Sequence, residues 1–195
     1  AVQRYPVVEG TKNEVAAGPA VTDWRNYGGV PEGQRFAQID QINVENVGKL
    51  KEAWRARTGV AYDFKQTPQM ANGLLYICTA GNTLIAYDSD TGEKRWQYDT
   101  KTEVPGGELE RSSTFARTCR GLGYHEAPPE YTGECAKRIL AGTVDARLIA
   151  VDAMTGQLCR SFGFDGQVNL VSGLGRSPLG NFMVTSTPLI AGDKV

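Results

Sequence analysis

Two residues able to do chemistry fall in one stretch, Thr118-Cys119-Arg120-Gly121-Leu122-Gly123-Tyr124-His125-Glu126, which contains the single histidine of the 195-residue chain. A guanidinium grips a carboxylate through two parallel hydrogen bonds, so Arg120 suits an anionic ligand. A neutral imidazole orients a hydroxyl or lies against a planar ring, which is the chemistry open to His125. The plainer alternatives are an arginine supporting its own loop and a loop histidine with no chemistry. The four cysteines, Cys78, Cys119, Cys135 and Cys159, show no C-x-x-C spacing. With one histidine they make a poor zinc set, and no metal ligand is expected in the chain.

Cys78 sits in the strand-like run Leu74-Leu75-Tyr76-Ile77-Cys78-Thr79 and reads as a buried free thiol. Cys119 and Cys135 either pair or stay free. Pairing would stabilise the fold by ~3 kcal/mol through loop entropy and would imply an oxidising compartment. A net charge of −1 with scattered Lys and Arg gives no electrostatic case for nucleic acid. No run approaches the ~20 apolar residues of a membrane span.

The elements that must position these residues announce themselves as a repeat. Leu84-Ile85-Ala86-Tyr87-Asp88-Ser89-Asp90-Thr91-Gly92 is echoed by Leu148-Ile149-Ala150-Val151-Asp152-Ala153-Met154-Thr155-Gly156. Each copy reads as strand, turn, strand, with Asp accepting local backbone hydrogen bonds and Gly in the positive-φ position. A unit of this kind cannot bury both faces alone, so the repeat implies a radial array of four-stranded antiparallel blades, a β-propeller. Trp96 closes the outgoing strand of the first copy and is placed to pack between neighbouring sheets. The copies lie farther apart than the ~40–50 residues of a common blade, so an insertion carrying Arg120 and His125 separates them.

Residues 1–22 read as a polar leader and 23–195 as an incomplete propeller. Asn43 is expected to cap a short helical turn with Val44 and Val47 inward. Leu50–Arg57 reads as an outer strand with Leu50 and Trp54 on one side. Thr67-Pro68-Gln69-Met70 with Asn72-Gly73 opens the first blade, and Thr187-Pro188-Leu189-Ile190 with Gly192-Asp193 opens a later one. That accounts for roughly two to three blades, whereas closure needs at least four. The expectation is a fragment that needs the remainder of the propeller, because its raw strand edges invite aggregation.

The assembled motifs resemble the pyrroloquinoline quinone (PQQ)-dependent dehydrogenases. They are Asp23-Trp24-Arg25-Asn26-Tyr27-Gly28, Gln41-Ile42-Asn43, Val47 to Trp54, the two Asp-x-x-Thr-Gly turns and Thr118-Cys119-Arg120-Gly121. The stretch from Thr118 to Glu126 looks most like the membrane-anchored glucose dehydrogenase branch. The turns with Trp96 resemble the family's tryptophan-docking motif, although the second copy has Phe162 near the expected tryptophan.

The resemblance implies an all-β, eight-bladed propeller and a periplasmic enzyme attached to the inner membrane through a segment outside this chain. It implies PQQ as cofactor, Ca²⁺ held by ligands outside this chain, a catalytic aspartate beyond Val195, a sugar or polyol substrate, and ubiquinone as electron acceptor. It carries Arg120, Thr185 and Ser186 over as cofactor contacts and places His125 near substrate and cofactor as a catalytic residue. Lys65 stands where the family often has a glutamate touching PQQ, and its positive charge would attract a PQQ carboxylate. Rival expectations are a quinate, shikimate or polyol dehydrogenase, and a non-catalytic propeller scaffold, which would have no need of Arg120.

Overall fold

The computed structural model describes residues 23–30, 33–37, 39–62, 64–104, 107–108, 117–175 and 178–195. The expected leader, 1–22, lies outside the described residues. Two four-stranded antiparallel sheets dominate, each a meander in sequence order. The first blade contains β1 (Gln69–Ala71), β2 (Leu74–Cys78), β3 (Thr83–Asp88) and β4 (Lys94–Asp99). The second contains β5 (Gly123–Glu126), β6 (Lys137–Gly142), β7 (Arg147–Asp152) and β8 (Gln167–Asn169). Short 3₁₀ turns occur at Val47–Lys49 and Ala80–Asn82.

The repeated turns are superimposable in chemistry. The Asp88 carboxylate accepts from the amides of Asp90 and Thr91 and the Thr91 hydroxyl at 3.1, 2.9 and 3.0 Å. Asp152 does the same with Met154 and Thr155 at 3.0, 2.9 and 3.0 Å. Gly92 and Gly156 both adopt φ of 71°, the left-handed region that a Cβ disfavours.

Each of these glycines also makes room for a tryptophan from the element before it. The Trp96 ring covers Gly156 and its indole N–H donates to the Ala153 carbonyl at 2.9 Å. Trp54 covers Gly92 in the same way and donates to Ser89 O at 3.0 Å. A tryptophan from one unit therefore docks on the turn of the next. The buried seam between the blades places Tyr76 and Trp96 against Tyr124, Ile139, Ile149 and Ala153. The Tyr76 ring stands 6.1 Å from Trp96 and 6.2 Å from Tyr124. Asn82 adds a polar stitch across the seam, donating to Gly142 O and accepting from Val144 N.

Several expectations need correction. Residues 50–57 form no ladder among the described residues, although Trp54 docks on the Gly92 turn as Trp96 of β4 docks on the Gly156 turn. Asn43 does accept from the Glu45 amide, yet Val44 and Val47 are exposed instead of facing inward, with no described residue covering them. The cysteines pair Cys78–Cys119 and Cys135–Cys159, so Cys78 is not a free thiol and Cys119 does not pair with Cys135. Blade stacking brings the end of β2 beside Cys119. The connection from β5 to β6 meets the excursion after the second turn at Cys135 and Cys159. That excursion delays β8, and Phe162 packs against the Cys135–Cys159 cluster rather than on a neighbouring turn. Residues 187–190 lie against Gly123 without a ladder, and the later turn shows one bridge, Ala191 to Lys194.

Candidate functional site

The lead-ins to the two blades meet the 185–187 segment through backbone hydrogen bonds. The Thr67 amide donates to Arg120 O at 3.2 Å, and the Arg120 amide donates to Thr185 O at 3.1 Å. The Arg120 guanidinium also donates to the Thr185 hydroxyl. Gly121 is required here because a Cβ would stand 2.2 Å from the Thr187 hydroxyl oxygen. The Cys78–Cys119 bond ties the residue before Arg120 to the end of β2. Gln66 reinforces that anchor, accepting from the Cys78 amide and donating to Tyr76 O at 3.3 Å.

Beside this junction lies a cavity of about 550 Å³ whose wall includes Arg25, Arg35, Gln69, Arg120, Ser186 and Thr187. The charged residues on this otherwise largely apolar wall are three arginines, Arg25, Arg35 and Arg120, which fits a flat ligand bearing carboxylates. Trp24 holds the near wall in place by exchanging backbone hydrogen bonds with Met70 of β1, at 2.7 and 3.1 Å. Arg25 is steadied by Asp23 and Glu126, at 2.7 and 2.5 Å. Burial opposes its charge, but these carboxylates and Tyr124 outweigh that and raise its pKa. Arg35 stacks over Tyr27, 5.0 Å from the ring centre. Interaction with the Thr67 side chain, then with Arg35, lowers the Tyr27 pKa.

The structure brings Arg120, Thr185 and Ser186 together and keeps two other expected residues apart from them. Lys65 is exposed and lies outside the cavity wall, preceding the buried Gln66. His125 lies on β5 opposite Arg138, also outside the wall. Strand alternation puts it on the face of Gly123, which meets Pro188 and Ile190, while Tyr124 faces the first blade. Burial, then the nearby Arg138 charge, lowers the His125 pKa and favours the neutral imidazole. Among the described residues no group of three or more His, Cys, Asp or Glu side chains stands close enough to hold a metal ion.

Sequence reasoning missed Gln69, Arg25, Tyr27 and Arg35. Two of these, Arg25 and Tyr27, lie within the Asp23-to-Gly28 motif, whose part in the cavity wall is set by tertiary packing. Gln69 carries no local signal at all; it reads as an ordinary strand residue.

The family described as "PQQ: Glucose/ethanol/alcohol dehydrogenase, beta-propeller domain" matches residues 24–195. The chain is 39% identical, over 93% of its length, to a quinoprotein glucose dehydrogenase of Escherichia coli. It is 36% identical, over 89% of its length, to a quinate/shikimate dehydrogenase (quinone) of Acinetobacter baylyi. It covers 24% and 23% of those proteins, so it spans about a quarter of their length. Among solved structures, quinohemoprotein alcohol dehydrogenase from Comamonas testosteroni matches with a TM-score of 0.64 and 26% identity, covering 85% of this chain and 21% of that one.

Proposed function

Because the chain belongs to the β-propeller family of PQQ-dependent glucose, ethanol and alcohol dehydrogenases, we propose that it forms part of a quinoprotein dehydrogenase oxidising a sugar or polyol. The observation that carries this reading is the position of Arg120. It sits where the lead-ins to the two blades join the segment at Thr185, on the wall of a cavity that also presents Arg25, Arg35 and Ser186. PQQ carries carboxylates, and this donor set suits them. When bound, PQQ supplies the two-electron acceptor, and the protein supplies placement and electrostatics. Arg120 would grip a carboxylate, Thr185 would hold the guanidinium in position, and Ser186 would donate a hydroxyl hydrogen bond. Lys65 would add positive charge near the cavity without lining it.

His125 receives a separate proposal. From the interface of the second blade with the Pro188–Ile190 segment, its neutral imidazole would orient substrate rather than grip the cofactor. The described residues offer no ligand set for Ca²⁺, so no role for that ion is assigned to this part of the protein. A glucose-like aldose is the proposed substrate, with electrons passing to membrane ubiquinone from the periplasmic side and the propeller completed by further blades. The similarity to a quinate/shikimate dehydrogenase makes a cyclic polyol acid the second reading.

Titrating PQQ into the intact apoprotein tests the assignment. Arg120→Ala should weaken PQQ binding by ~1.5–3 kcal/mol, the range for a hydrogen bond to a charged group. His125→Ala should leave PQQ affinity in place and alter turnover or the preference among sugars. Unchanged binding in Arg120→Ala would remove the cavity from the cofactor site.

A further inference from the structure

β1 is only three residues long, and strand alternation sends Gln69 and Ala71 into the interior while Met70 turns the other way. Gln69 is 2% exposed. Its amide nitrogen donates to the Arg25 carbonyl at 3.1 Å. Its amide oxygen, Oε1, is buried and accepts no hydrogen bond from the described residues. An orphaned buried acceptor costs stability that an apolar side chain of similar size would not. The same residue lies on the wall of the 550 Å³ cavity, together with the donor side chains of Arg25, Arg35, Arg120, Ser186 and Thr187.

Arg25, Arg35, Arg120, Ser186 and Thr187 can all donate to a ligand held there. Gln69 Oε1 is a fixed, unclaimed acceptor on the β1 side. A ligand that satisfies the whole wall needs acceptors for the guanidinium groups and one N–H or O–H donor directed at β1. We propose that Gln69 contacts the ligand through Oε1, accepting a hydrogen bond from a ligand N–H or O–H, and so selects for a donor on that edge. This inference rests on PQQ occupying the cavity. The ring N–H of PQQ is one source of that donor, and a substrate hydroxyl is the other.

The test uses the intact protein, with PQQ itself and PQQ methylated at its pyrrole nitrogen as probes. Gln69→Leu should bind PQQ about tenfold more weakly, the scale of one neutral hydrogen bond. Its apoprotein should melt close to the wild-type temperature, because removing the orphaned oxygen offsets the lost hydrogen bond to the Arg25 carbonyl. Wild-type protein should lose a similar factor on the methylated cofactor, and Gln69→Leu should not distinguish the two cofactors. If PQQ affinity holds in Gln69→Leu while KM for the alcohol substrate rises about tenfold, the donor is a substrate hydroxyl. A lower apoprotein melting temperature with no change in PQQ affinity or KM makes Gln69 purely structural and overturns the inference. Arg120→Ala separates the two levels. If it weakens PQQ binding and Gln69→Leu does not alter either ligand, only the Gln69 inference fails. If Arg120→Ala also binds PQQ normally, the cavity assignment fails with it.

Discussion

Trp96→Ala is expected to weaken the junction of the two blades by about 3–5 kcal/mol, the range for truncating a core aromatic. The ring is 8% exposed and sits in the buried seam against Tyr76. Its removal leaves a cavity over Gly156 and an unpaired Ala153 carbonyl, so transfer, packing and hydrogen-bond losses act together. The backbone around Gly156 cannot collapse freely into the gap, because the Asp152 carboxylate fixes the turn from inside. Native-state amide exchange in β3 and β7 is the suitable measure, since it reports opening of these blades separately from the rest of the protein. A loss below about 1 kcal/mol would show that the seam does not depend on tryptophan docking.

Replacing Cys78 and Cys119 together by alanine is expected to cost about 4 kcal/mol on chain-entropy grounds, given their sequence separation of 41. The pair at Cys135 and Cys159, separated by 24, should cost somewhat less, about 3.5 kcal/mol. The larger difference between them lies in function. Cys119 is adjacent to Arg120, and the Cys78 amide is held by Gln66, so the first bond fixes the segment on which the guanidinium stands. The second bond closes the far side of the second blade, around Phe162. Loss of Cys78–Cys119 should therefore weaken PQQ binding as well as stability, while loss of Cys135–Cys159 should affect stability alone. Mass spectrometry of the unreduced protein establishes the pairing, and PQQ titration of the two double variants separates the roles. Equal PQQ affinity in both would detach the Cys78–Cys119 bond from the site.

The propeller was legible because its signal is local. Asp88, Thr91 and Gly92 satisfy one another within five residues, and Asp152, Thr155 and Gly156 repeat the arrangement, so no tertiary information is needed to recognise it. The cysteine pairing was not legible, because loop length alone does not choose partners. Stacking of the blades does, by bringing the end of β2 beside the lead-in to β5. Trp54 escaped for the same reason. Its alternation with Leu50 suggests a strand, whereas the determining contact is the Gly92 turn, 38 positions away. At the site, Arg120, Thr185 and Ser186 were visible through family motifs. Gln69 was not, because its significance lies in an oxygen that only packing leaves without a partner.

The central claim is that the junction of Thr67, Arg120 and Thr185 forms part of a PQQ site. A crystal structure of the intact protein grown with PQQ tests it most directly. PQQ density is expected in the cavity between β1 and residues 186–190, with one carboxylate at hydrogen-bond distance from the Arg120 guanidinium. Well-ordered PQQ elsewhere in the propeller, with the Arg120 guanidinium still donating to Thr185 as it does here, would contradict it.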